Sequence, residues 1–396
     1  MRLCMISLDA VAQPDADRLL RLPALSALAE KGVFCDQVRT VYPTLTYPIH
    51  TSLLTGCYPD VHGIGHNQPF QPDTDPAMRA WFWDAGDIRV KTLHQAAREK
   101  GLDVASILWP VSGKNRAVRR NFPEVLPLPG ESAVKKMLAY ASPLWILRME
   151  ALYGRQRQSI RQPHLDDYAA LLCEKLYASR RPPDVLTVHL VDCDAMRHQY
   201  GVDSPEARQA MERLDKRVAR VVGAVRRAGL EEDTLFCVVS DHGQQDAPRG
   251  VPLDRYLRRS CGARAQSLGM GAYIFGDDPV AARRALEENR AAWGIARVYD
   301  EEALRALHAP VDVRLAVDAL PGHCFIDRDE ATHGEHGFGL DCPQARTLLW
   351  LSGPGIRRGE RLKAANLVDI APTLARALSL SLPQAQGTVL TQVFQS

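Results

Sequence analysis

The stretch TLFCVVSDHG, residues 234–243, decides the fold. An apolar run of strand length passes without a turn residue straight into Asp241 and His242. In open α/β sheets, ligands bind beyond the carboxyl ends of the strands, so an aspartate and an imidazole in that place are candidates for chemistry. The pattern recurs: residues 3–8 run into Asp9, and residues 184–191 into Asp192 and Asp194. Further strand-length apolar runs occupy residues 103–108 and 347–351.

Between these runs lie stretches with apolar residues every three to four positions, at 15–31, 91–100, 205–228 and 367–378. Such alternation predicts an α/β three-layer sandwich, a largely parallel sheet with helices on both faces. Residues 142–162, rich in Trp, Leu, Arg and Gln, read as an inserted surface helix pair. Residues 244–331 hold their own pattern of strand (271–275), helix (279–293) and strand (from 316). They are expected to form a small α+β cap subdomain over a catalytic domain made of residues 1–243 and 332–396.

The chain has 396 residues, 46% hydrophobic and 24% charged, enough for one large domain with insertions. Its 49 Lys+Arg against 47 Asp+Glu give a net charge of +2, which argues against a nucleic-acid polymer or a membrane as the main partner. The pairs Arg180–Arg181 and Arg357–Arg358 read as solvated surface. Nine cysteines, an odd number with no C-x-x-C, suggest neither a disulfide framework nor a thiolate metal site. With the opening MRLCMISLDA too short and too soon polar for a signal peptide, a cytoplasmic location is expected.

Residues 43–56, PTLTYPIHTSLLTG, begin with turn chemistry and run into a short helical pattern with Thr46 near its start. There a hydroxyl meets free backbone N–H groups and the positive end of the helix dipole; the plainer alternative is an N-cap. Asp194 and His198 are four apart, so on a helical turn they face one side and could share a metal. A late imidazole comes from His333 or His336 in THGEHGF, residues 332–338.

With these fragments in this order, and with TGCYPDVHGI at 55–64 and LVDIAPT at 367–373, the sequence resembles the type I phosphodiesterase and nucleotide pyrophosphatase branch of the alkaline phosphatase superfamily. The resemblance runs nearly end to end. It implies two divalent cations, one bound by Asp194, His198 and His336, the other by Asp9, Asp241 and His242 with Thr46 as oxygen ligand. The family's late histidine precedes Gly and an aromatic residue, which His336-Gly337-Phe338 matches and His333-Gly334-Glu335 does not. Asn67 matches the asparagine that donates to a phosphoryl oxygen. Mixed Asp and His donors suit zinc, although manganese and iron accept the same set.

The resemblance implies a metal-dependent phosphodiesterase or nucleotide pyrophosphatase acting through a phosphothreonine on Thr46. Its substrate is expected to be a small phosphoester, nucleotides included. The competing readings are a phosphonate hydrolase of the phosphonoacetate type, for which Lys91 and Lys114 are candidate carboxylate contacts, a phosphomonoesterase, and a non-catalytic binding module. Tyr47 and the run Ala80–Asp84, AWFWD, could stack on a leaving group, although Trp83 suits the core equally. His50, His62 and His66 read as structural or rim residues, and His189 as a buried, satisfied imidazole. If the strand before it persists, Asp192 points away from Asp194.

Overall fold

The strand expected at 234–240 forms as Thr234–Ser240, near the middle of a nine-stranded sheet. The computed structural model describes residues 1–326 and 333–395. Arg2–Leu8 lies between Thr234–Ser240 and Val185–Leu190 and is parallel to both. Val104–Ile107 and Arg120–Phe122 continue the parallel order on one side, and Arg346–Ser352 is antiparallel to Thr234–Ser240 and to Gly32–Arg39 on the other.

Side chains of a strand alternate between faces, and here both faces are apolar. Cys4, Ile6 and Leu8 enter one core with Leu172, Leu176, Leu214 and Val218 of the helices His164–Tyr177 and Pro205–Arg227. Leu3 and Met5 enter a second core with Ile49, Leu53 and Leu374 of the helices Thr46–Thr55 and Ile370–Ala377. The result is the three-layer α/β sandwich with its largely parallel sheet.

Two helical stretches differ from expectation. The segment 15–31 breaks into Ala16–Leu19 and Pro23–Glu30, because Pro23 lacks an N–H and holds Leu22 extended at ψ 137°. The surface helix pair starts earlier than residue 142, as Ala133–Tyr140 and Pro143–Tyr153. Ser132 caps the first by accepting from the Lys135 amide, and Pro143 opens the second.

Within 244–326 lies a separate antiparallel sheet in the order Ile295–Tyr299, Leu315–Ala319, Gly271–Phe275, Arg264–Ser267. The helix expected at 279–293 is shorter, Pro279–Glu288. The boundary expected at 331/332 lies outside the described residues.

One buried ionic network ties the scaffold to the strand ends. Strand Val185–Leu190 stops before Asp192, which opens the helix Asp192–Tyr200. Arg217 Nη1 donates to Asp192 Oδ2 at 2.6 Å, and its Nε to Asp167 Oδ1 at 2.9 Å. Arg213 Nε donates to the same Asp192 oxygen at 2.6 Å, while Asp166 Oδ2 accepts from the Asp192 amide at 2.9 Å. Asp192 therefore serves as an anchor for the helix that carries Asp194 and His198. The expectation that it alternates with Asp194 on a strand fails because the strand has already ended. Removing one member of a buried pair leaves its partner uncompensated. Arg217→Met is expected to cost about 3 kcal/mol of unfolding free energy, measured by urea denaturation; a loss of under about 1 kcal/mol would show that the network is dispensable.

Candidate metal centre and nucleophile

Leu8 pairs with Leu190 on one side and Ser240 on the other, so three adjacent strands end at one level. The chain leaves them as Asp9, Asp192 to Asp194, and Asp241-His242. Asp241 Oδ1 is committed, accepting from the amides of His242 at 2.8 Å and Ala10 at 3.2 Å. Its Oδ2 is buried without a hydrogen-bond partner, as is Asp9 Oδ1. Buried polar atoms in proteins are nearly always satisfied, so two orphaned carboxylate oxygens in one place call for a cation.

Asp194 and His198 lie on one face of their helix, with Oδ1 and Nε2 3.3 Å apart. His198 Nδ1 is 2.8 Å from the Gly334 carbonyl, and His336 Nδ1 is 3.1 Å from the Thr44 carbonyl. His242 Nδ1 is 3.3 Å from the Gly243 carbonyl. A carbonyl only accepts, so each Nδ1 carries a proton, which leaves Nε2 as the ring atom that could ligate a metal. The donor atoms form two groups, Asp194–His198–His336 and Asp9–Asp241–His242, each with all its atoms within 4.8 Å of one another. The structure thus brings His336 into the first group, while His333 is exposed.

The glycine after His336 has a steric reason. Gly337 sits at φ 82°, and a Cβ there would overlap the carbonyl oxygen of Leu268. The backbone can therefore turn the imidazole inward only at a glycine.

A third group, His50–His189–Asp241, also satisfies the distance criterion. His50 is fully engaged, however, with Nδ1 2.8 Å from the Thr46 carbonyl and Nε2 2.8 Å from Ser7 Oγ. It is itself part of the Thr46–Thr55 helix, which it ties to Ser7 of the first strand, and has no lone pair left for a metal. His189 Nε2 lies 3.0 Å from Asp9 Oδ2, so this imidazole buttresses a candidate ligand as well as being buried. His62 hydrogen-bonds Ser52 Oγ, and His66 faces the Ser267 carbonyl.

Thr46 is the first residue of Thr46–Thr55, and the N-cap is Leu45. Its hydroxyl is not consumed in capping; Oγ1 lies 3.2 Å from His242 Nε2. Asn67 is brought to the same place by accepting from the Tyr47 amide through Oδ1 at 3.0 Å, which leaves its NH2 to donate elsewhere.

Burial and the neighbouring Asp241 and Asp194 carboxylates push Asp9 well above the usual carboxylate range. Burial acts against the charge of His198 too, but Asp194 outweighs it and pushes that imidazole up to about 10. Carboxylates that repel one another in a buried site, with imidazole Nε2 atoms facing them, form a donor set for divalent cations.

Gln244 was not singled out by its sequence context. Its Nε2 donates to Asp194 Oδ1 at 2.5 Å. Only its position after Asp241-His242-Gly243 hinted at the site, and the contact spans fifty residues. Lys91 and Lys114 are taken by Glu99 and Asp84, at 2.8 and 2.9 Å. Trp83 and Tyr47 are buried in a small apolar cluster, with Trp81 edge-on to Tyr47 at 5.3 Å.

A family model described as type I phosphodiesterase / nucleotide pyrophosphatase matches residues 3–338, which include every candidate ligand. The chain belongs to this family. Members are metal-dependent, in accord with the two donor groups. Ectonucleotide pyrophosphatase/phosphodiesterase family member 1 of Homo sapiens is 26% identical over 60% of this chain. The match spans only 23% of that relative's length. Bis(5'-adenosyl)-triphosphatase enpp4 of Xenopus laevis is 23% identical over 98% of this chain and 80% of its own. The solved structure of murine ectonucleotide pyrophosphatase / phosphodiesterase 5 shares the fold, with a TM-score of 0.76 over 100% of both chains at 19% identity. A second structure of that protein is an inactive threonine-to-alanine variant in complex with AMP.

Gly337→Ala tests the link between backbone and metal site in this family member. It is expected to lower affinity for one divalent cation about tenfold or more, measured by calorimetric titration of the metal-free protein. Unchanged affinity for both cations would separate the Gly337 turn from metal binding.

Proposed function

We propose that this chain hydrolyses phosphodiester or pyrophosphate bonds by double displacement on Thr46, with two divalent cations held by the two triads. The reading rests on one arrangement: two groups of metal donors at adjacent strand ends, beside a threonine hydroxyl at a helix start that is not used in capping and lies against His242. Asp194, His198 and His336 would hold one cation; Asp9, Asp241, His242 and Thr46 would hold the other. Bound there, the cations supply a lowered hydroxyl pKa and neutralise charge on the transferring group.

The remaining work falls to the chain. Thr46 Oγ1 attacks phosphorus in line with the leaving oxygen, and the new P–O bond forms as the old one breaks. The N-terminal turn of Thr46–Thr55 favours an anion, and Asn67, fixed by the Tyr47 amide, donates to a phosphoryl oxygen. Water then hydrolyses the phosphothreonine and restores the hydroxyl.

Zinc is the metal we favour, because both groups mix carboxylate with imidazole. Nucleotides are the substrate class we favour, given the names of the relatives and the AMP complex of the murine neighbour. The segment 244–331 would shape specificity as a cap: Phe275 stacks on Phe70 at 3.9 Å, and the Ser267 carbonyl lies 2.9 Å from His66 Nε2, both just beside Asn67 in sequence. A phosphonoacetate reading is weakened by the pairing of Lys91 and Lys114 with acidic neighbours.

Purified protein with its metal content measured should hydrolyse nucleotide nitrophenyl phosphodiesters in preference to phosphonoacetate. Thr46→Ala should lose at least about 10³-fold in kcat/KM while keeping metals bound through the Asp and His donors. Phosphate release from phosphonoacetate alone, or full activity of the alanine variant, would overturn the reading.

A further inference from the structure

The helix Pro143–Tyr153 is apolar on both sides but buries only one. Ile146 and Met149 face the core, joined by the partly buried Trp145 and Tyr153. The opposite side carries Leu144, Leu147, Ala151 and Leu152 at helical spacing, with Arg148 as the charged residue among them. Leu144 is 83% exposed, Leu147 51% and Leu152 56%. Of the twelve exposed large hydrophobic residues in the described chain, six fall between Leu126 and Ile160. A helix on a water-facing surface is expected to be polar on its outer side, so this one is built to be covered.

The charge around it says by what. A shallow groove brings Leu144 and Trp145 beside Arg116, Arg119 and Arg148. It adjoins a second, where Arg119 and Arg148 meet Arg180 and Arg181, with Asp103 the one acidic residue in its lining. Arg116, Arg119, Arg148, Arg180 and Arg181 are all exposed. The net charge of +2 is an average that conceals this cluster.

We propose that the hairpin Ala133–Tyr140/Pro143–Tyr153 and its arginine collar form a docking surface for an anionic lipid bilayer, with Leu144 and Leu147 entering the interface and the arginines meeting headgroups. Exposed aliphatic residues with a tryptophan at their edge and a basic surround are the composition of an interfacial helix. The most exposed large side chains of the helix, Leu144, Leu147 and Leu152, are aliphatic rather than aromatic, which favours a lipid interface over stacked bases. Among the described residues no helix is long and apolar enough to cross a membrane. The proposal is independent of the hydrolytic reading.

Cosedimentation of the full chain with vesicles tests it, using phosphatidylcholine alone and phosphatidylcholine mixed with phosphatidylglycerol. The chain is expected to bind the mixed vesicles and not the neutral ones. Both L144S/L147S and R148E/R180E are expected to weaken that binding about tenfold or more. These exposed positions lie outside the proposed catalytic machinery, so each variant should keep the parent's circular dichroism spectrum and urea unfolding midpoint, which reports that the fold is intact. Failure of the parent to bind mixed vesicles, undiminished binding by either double variant, or tighter binding to a single-stranded oligonucleotide than to vesicles would overturn the proposal.

Discussion

Three carboxylates, Asp9, Asp194 and Asp241, converge in a buried space at the ends of adjacent strands, and the rest of the structure accommodates that convergence. Such a grouping is costly in a low-dielectric interior unless each charge is paired or holds a cation. Amides of Ala10 and His242 satisfy one oxygen of Asp241, Gln244 meets Asp194, and His189 backs Asp9. What these groups leave unsatisfied is the part that the proposed cations would complete.

The scaffold serves that end by fixing directions. Parallel strands deliver three chain segments to one level, and the Arg213–Arg217 pair holds the start of the Asp192–Tyr200 helix from below. Backbone carbonyls of Gly334, Thr44 and Gly243 fix the orientation of three imidazoles through Nδ1. Glycine is required at position 337 because the chain must reverse against Leu268. The site is thus organised by main-chain geometry as much as by the ligands themselves.

The arginine-lined hairpin, whose Tyr140 packs against the cluster that holds Tyr47, answers to another constraint. Around the metal centre, charge is buried and must be compensated internally. On the hairpin, apolar surface is exposed and must be compensated externally. Docking it on a bilayer would let one chain meet both demands, with the cap segment beside Asn67 left to shape access from solution.

Local sequence determined what local physics controls. The strands ending in Asp9 and Asp241-His242 were legible because apolar runs of strand length stop abruptly at charge, and the Asp194–His198 pair because helical periodicity puts both on one side. Family resemblance added His336 over His333, and the structure supplied the steric reason for the glycine beside it. The break at Pro23 was written in the sequence too, although amphipathic periodicity masked it. Only the tertiary structure could decide the roles of Asp192 and Gln244, the backing of Asp9 by His189, and which side of Pro143–Tyr153 is left uncovered. Each depends on contacts between residues distant along the chain, or on what is absent from a face, and neither leaves a periodic trace in the sequence.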